Sequence, residues 1–233
     1  MAAMTLLVAT VFAFVGSHFF LSHPLRAPLA SRIGERGFLL VYSLVAFATL
    51  GGVAHAYRTM PAQPMLWEVG DGLWITATIV MLVASILLIG SLIGNPALPD
   101  PTAGSKPVPQ PRGVFAITRH PMMWAFALWA VAHILVFPIG AQIVLSLGIA
   151  VLALVGAALQ DAKKRSLMPD FWPEWSRRTS YLPFAALGAG RLPWTAAKLR
   201  PHDWAGGFLL WLAATWAHLP LAGWAAGIWR WIG

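Results

Sequence analysis

The sequence predicts an all-α fold: a polytopic membrane helix bundle with about six transmembrane helices, forming a single membrane domain over residues 1–233. Three observations carry this prediction. The composition is too apolar for a soluble fold, the apolar residues fall into six runs of spanning length, and Lys and Arg are placed lopsidedly between them. The chain is 58% hydrophobic and 10% charged, against about 25% charged in soluble domains. So little charge cannot form a polar skin, and the apolar excess belongs to lipid-facing surface. Cysteine is absent, which excludes disulfides, thiolate metal sites and cysteine nucleophiles. The net charge of +8 sits in loops beside apolar runs, where it sets topology and meets lipid head groups. The expected partner is therefore a lipid bilayer, with no nucleic acid. Thirteen Trp residues fit the same picture, because Trp favours the membrane interface.

The first spanning run covers residues 4–21. No Lys or Arg precedes it and no small-x-small cleavage site follows, so it is expected to be a retained helix and not a signal peptide. The second and third runs cover residues 37–57 and 73–94. Residues 95–111 then form a Pro-rich cytoplasmic linker holding Pro96, Pro99, Pro101, Pro107, Pro109 and Pro111. Such a segment lacks the N–H donors that a regular element needs. The fourth helix covers residues 121–137 and starts at Pro121, a residue favoured at the first helical position. Pro138 and Gly140 turn the chain into the fifth, residues 139–160. A polar cytoplasmic segment, residues 161–203, precedes the sixth run, residues 204–219.

Of the 16 basic residues, 14 fall in three alternate connections, beginning with Arg26, Lys106 and Lys163. Only Arg58 and Arg230 fall on the other side. Six helices produce this asymmetry when those three connections are cytoplasmic and both termini lie outside.

The seven histidines are the residues most suited to chemistry: His18, His23, His55, His120, His133, His202 and His218. The eight carboxylates all fall in expected loops, so paired-carboxylate catalysis within the membrane is not expected. Histidines without acidic or thiolate partners can serve as haem ligands, as members of a metal site with three or four ligands, or as packing residues. His120 and His133 are 13 residues apart on one helix, about 20 Å along its axis, and cannot share a metal. Rise per residue leaves His18 and His133 about 12 Å apart in depth, while His133 and His218 match better.

Thr118-Arg119-His120-Pro121 is the most motif-like stretch. It offers a basic helix N-terminus suited to a phosphate or carboxylate, although an interfacial Arg and an N1 Pro also simply begin a membrane helix. Trp124, Phe126 and Trp129 line the same helix and suit either a porphyrin or polyene, or ordinary helix and lipid contact. Residues 161–184, with Trp172, Trp175 and Tyr181, read as an interfacial stretch or as a lid over a cytoplasmic site.

These stretches carry a resemblance. Gly16-Ser17-His18, Ser22-His23-Pro24-Leu25-Arg26, Ile33-Gly34-Glu35-Arg36-Gly37-Phe38 and Tyr42-Ser43-Leu44 belong to it. So do Thr118-Arg119-His120-Pro121-Met122, Leu128-Trp129-Ala130-Val131-Ala132-His133-Ile134-Leu135 and Thr179-Ser180-Tyr181-Leu182-Pro183-Phe184. Together they resemble the NnrU family of bacterial membrane proteins nearly end to end.

The resemblance implies a place in denitrification and nitric-oxide metabolism. It also implies a bacterial inner (cytoplasmic) membrane location with both termini periplasmic. The family is similar in turn to plant zeta-carotene isomerase, a haem-dependent membrane enzyme. That similarity implies haem b, with His18 and His133 as axial metal ligands and His120 and Arg119 as further cofactor-binding residues. The activity implied is haem-dependent redox or cis-trans isomerase chemistry on a lipophilic small molecule. A shorter similarity, resting on Arg119-His120-Pro121 and on Glu174 through Pro183, is to membrane methyltransferases that use S-adenosylmethionine. A non-enzymatic accessory factor for a reductase complex is the third alternative.

Overall fold

A computed structural model describes residues 1–98 and 107–232. Pro99, Pro101 and Lys106 of the expected linker lie outside the described residues. The chain is an all-helical bundle, with no strand among the described residues. Its long helices are α1 (Ala2–Ser22), α2 (Arg26–Arg58), α3 (Asp71–Gly90), α5 (Pro121–Val136), α6 (Gly140–Leu167) and α9 (Pro201–Ala222). Short helices α4 (Val114–Ile117), α7 (Trp172–Arg178), α8 (Ala185–Gly188) and α10 (Trp229–Ile232) decorate the ends. Five of the long helices have the length and hydropathy of membrane spans, and α5 is a shorter apolar one, so the expected six are present.

Several boundaries differ from the sequence expectation, each for a local reason. Helix α2 starts at Arg26 instead of residue 37, because Arg26–Ile33 is itself helical and joins the span through a break at Gly34 (φ 73°, ψ 165°). Helix α6 runs on to Leu167, past the expected end at 160. Charge does not stop a helix, and Lys164 and Arg165 in its last turn complement the negative end of its dipole. Helix α5 stops at Val136 because Phe137 precedes Pro138, and a residue before proline is driven out of helical conformation. Helix α9 starts three residues early, with Pro201 at N1 and a capping box between Arg200 and Asp203. It carries Pro220 in its last turn and ends on Gly223 in the left-handed conformation.

The principal helix contacts run in an arc, α2–α1–α6–α5–α3–α9. Small residues let the helices approach closely. Gly207 of α9 lies so near α3 that a Cβ there would stand 2.5 Å from Ile86 Cα. Large apolar side chains such as Phe12, Leu40, Leu44, Phe47 and Leu209 remain exposed on the outside of the bundle, as lipid-facing surface requires.

The two ends differ. The ends where α1, α3 and α6 finish carry the basic connections and a core of Leu87, Val114, Phe115, Phe171, Trp172 and Trp175. We call this the basic end. At the opposite end, Leu7, Val11, Val53, Ala56 and Ala141 pack together. There the loop before α3 closes over the α5–α6 turn: Leu66 N–H donates to Pro138 O (2.9 Å) and Ala141 N–H donates to Gln63 Oε1 (2.9 Å).

Candidate functional site

Two polar clusters lie inside the bundle, one near each end. At the basic end, residues 118–120 form a short extended strap before α5. Thr118 Oγ1 donates to Tyr181 O (2.7 Å), Arg119 N–H to Ser180 O (2.8 Å) and Trp124 Nε1 to Tyr181 O (2.9 Å). The segment between α6 and α9 is thereby pinned onto the start of α5. It is not a loose interfacial stretch: Trp172 and Trp175 are completely buried in the core beneath it.

The strap delivers Arg119 and His120 to one carboxylate, Asp161. Arg119 donates from Nε to Asp161 Oδ2 (2.8 Å) and also from Nη2. His120 Nε2 donates to Oδ1 (2.9 Å), and Trp172 Nε1 reaches the same oxygen at 3.2 Å. Arg119, His120 and Asp161 are 9%, 2% and 5% exposed, so each charge is balanced away from water. The Tyr181 ring covers the group, with its centroid 5.9 Å from the Arg119 guanidinium and 5.7 Å from His120. Its hydroxyl donates to Leu154 O (2.6 Å). Burial, and then the Asp161 charge, push the Tyr181 hydroxyl pKa up. The void beside the cluster, between Asn95, Met122, Met123 and Gln160, is only about 20 Å³, room for a single water.

Asp161 corrects the expectation that every carboxylate lies in a loop. It stands on α6, one residue beyond the expected end of that span. Asp203, also assigned to the polar segment, is fully buried as the N3 residue of α9. Its carboxylate binds Arg200 Nη2 (2.8 Å), which also donates to Gly90 O (2.9 Å). The carboxylate rests against Gly113 so closely that a Cβ there would collide with it. The run of Lys163, Lys164 and Arg165 after Asp161 masked the single acid in the sequence.

At the opposite end a cavity of about 650 Å³ opens among five of the long helices, α2, α3, α5, α6 and α9, and the tail after α9. His133 of α5 and His218 of α9 both line it, with ring centroids 6.0 Å apart and planes inclined by 34°. Each ring is tied to its own helix: His133 Nδ1 to Trp129 O (2.8 Å) and His218 Nδ1 to Ala214 O (2.7 Å). A carbonyl only accepts, so Nδ1 carries a proton in both rings, and in the neutral imidazole Nε2 is then the free acceptor. Trp129 stacks on His133 at 4.0 Å. Two further lining groups, Thr78 Oγ1 and Trp211 Nε1, are buried without a hydrogen-bond partner among the described residues.

The structure thus brings together Arg119 and His120, through Asp161, and brings His133 to His218. It does not bring His18 to His133. His18 lies one turn from the basic end of α1, donates from Nδ1 to Phe14 O (2.7 Å), and packs against Phe14 and Tyr42. His133 lies one turn from the opposite end of α5. Sequence depth alone pairs His133 with His218. No periodic or compositional signal points to Thr78 or Trp211.

The donor set suits haem. Haem iron takes neutral imidazoles whose remaining N–H is held by a backbone acceptor, and both rings have that backbone hydrogen bond beside a roomy, mostly apolar cavity. Three or more His, Asp or Glu side chains do not converge anywhere among the described residues, as a zinc site would ask.

Compared with known proteins, the chain matches no curated protein and no solved structure. Over residues 6–226 it matches the family described as NnrU protein. That match spans nearly the whole bundle, both polar clusters included, and on it the chain belongs to the NnrU family.

Proposed function

We propose that this protein binds haem b in the cavity between α5 and α9, with His133 and His218 as the axial ligands. The proposed role, in line with the family resemblance, is in nitric-oxide or nitrogen-oxide metabolism. The observation that carries the reading is the pair of imidazoles at the cavity, with ring centroids 6.0 Å apart and each Nδ1 held by its own helix. Bound haem would supply an iron centre for redox or isomerisation chemistry on a lipophilic substrate.

The chain's own contribution is positional. Trp129 and the Trp129 carbonyl hold the His133 ring in one orientation. Apolar lining from Met81, Val136 and Trp224 keeps the site poor in water. The partnerless Trp211 N–H and Thr78 hydroxyl offer hydrogen bonds to a polar atom of whatever enters. The S-adenosylmethionine reading finds less support. Arg119 and His120 spend their hydrogen bonds on Asp161, and the space beside them admits about one water.

The test is an absorption spectrum of the detergent-purified chain from cells supplied with haem precursor. A Soret band that sharpens on dithionite reduction is expected. It should be lost in His133→Ala and in His218→Ala and kept in His18→Ala. A spectrum without a Soret band overturns the proposal. Loss in His18→Ala with retention in His218→Ala puts the iron on the His18–His133 pair instead.

A further inference from the structure

Basic residues are kept away from one end of this bundle. Among the described Lys and Arg residues, only Arg58 and Arg230 sit at the end opposite the basic connections. Charge asymmetry of this kind orients membrane proteins, and each basic residue on the sparse side weakens it. Scattered placement would make the two arginines ordinary interfacial residues. Instead both line the same cavity, the one that holds His133 and His218.

They arrive there from distant parts of the chain. Arg58 closes α2, and Arg230 belongs to α10 in the tail that folds back beyond α9. The tail is fixed in place. Trp229 Nε1 donates to Thr215 Oγ1 (3.1 Å), and Gly227 (φ 60°) presses on Thr215 so tightly that a Cβ would stand 2.8 Å from it. Arg230 lies over the Trp74 ring at 4.7 Å and meets Asp71 only at 3.4 Å, through one of its nitrogens. Arg58 makes no side-chain hydrogen bond or ion pair among the described residues. Asp71 takes that one contact from Arg230, and Glu68 lies in the loop just before α3.

Two guanidinium groups with donors to spare, set on an otherwise apolar cavity, suit carboxylates on an apolar ligand. We infer that Arg58 and Arg230 are positioning residues that receive the propionates of the haem and so fix which way round it lies in the cavity. This inference rests on the haem reading and adds a recognition element to it.

The experiment titrates the full-length chain, produced without haem precursor, with haem and separately with haem dimethyl ester, following the Soret band. The wild type is expected to bind haem more tightly than the ester by roughly tenfold or more, the effect of one charge-assisted hydrogen bond. The double variant Arg58→Gln/Arg230→Gln should lose that preference while its Soret position, set by the axial ligands, stays put. Arg58→Lys/Arg230→Lys should recover part of the preference. Equal binding of both compounds by the wild type, or a preference that survives in the Gln variant, overturns the inference and leaves haem binding intact. No protein-dependent shift of the Soret band with either compound overturns the haem reading and this inference with it. In that case, arginine-dependent binding of a long-chain fatty acid would assign the mouth to a lipid carboxylate.

Discussion

The two ends of this bundle handle buried polarity in opposite ways. At the basic end, Asp161 takes hydrogen bonds from Arg119, His120 and Trp172, and Asp203 takes them from Arg200. Charge meets charge and the neighbouring void is only about 20 Å³, although Trp175 Nε1 and Ser176 Oγ nearby are buried without a hydrogen-bond partner among the described residues. At the other end, two imidazoles line about 650 Å³ of space together with an indole N–H and a threonine hydroxyl that have no hydrogen-bond partner among the described residues. A buried polar group without a partner costs free energy comparable to a lost hydrogen bond. The ion pairs of the first end hold helices together, and the open space of the second is where the proposed ligand would sit. The most motif-like residues, Arg119-His120-Pro121, belong to the first.

The largest test of this division is Asp161→Ala. It strands a buried guanidinium, and should cost about 3–5 kcal/mol of stability, read as a fall in Tm in detergent. The fraction that still folds should keep its Soret band. Loss of the band with unchanged Tm would move the chemistry to the basic end. His218→Ala should do the reverse, removing the band with a far smaller change in Tm.

Gly207→Val tests the wall between α3 and α9. Its branched side chain would collide with Ile86, and overpacking of this kind costs about 1–3 kcal/mol. Because α9 carries His218, haem occupancy should fall along with Tm. Tyr181→Phe removes only the hydrogen bond to Leu154 O and should cost about 1 kcal/mol, with no spectral change.

The smallest effect concerns α7 at the surface. Arg177 and Arg178 beside Glu174 hold its carboxyl below the usual range. A depressed carboxyl contributes stability above the ordinary glutamate pKa, and that contribution disappears as pH falls through the lowered value. Glu174→Gln should therefore flatten the acid limb of a Tm-versus-pH curve slightly, and salt should mask the difference.

Much of the fold was legible in the residues themselves. Apolar runs of spanning length and the placement of Lys and Arg mark out six helices, because lipid rewards exactly those features locally. Helix ends were less legible where the chain leaves lipid. Asp161 and the basic run after it look like loop in a hydropathy reading, yet α6 continues because backbone hydrogen bonding is indifferent to charge once the charge is matched. The site was legible only in part. His133 and its aromatic neighbours stand out on one helix, but the choice between His18 and His218 as its companion depends on which helices touch.

By itself, then, the sequence determined the helix count, the asymmetry of charge along the chain and the histidines available for chemistry, since each is a property of local segments in a bilayer. Only the tertiary structure decided which of them meet. The arc of helices joins His133 to His218 and Arg119 to Asp161 and brings Arg58 to the same cavity as Arg230, because packing between helices remote in sequence depends on close approaches such as Gly207 against Ile86, which no single segment encodes.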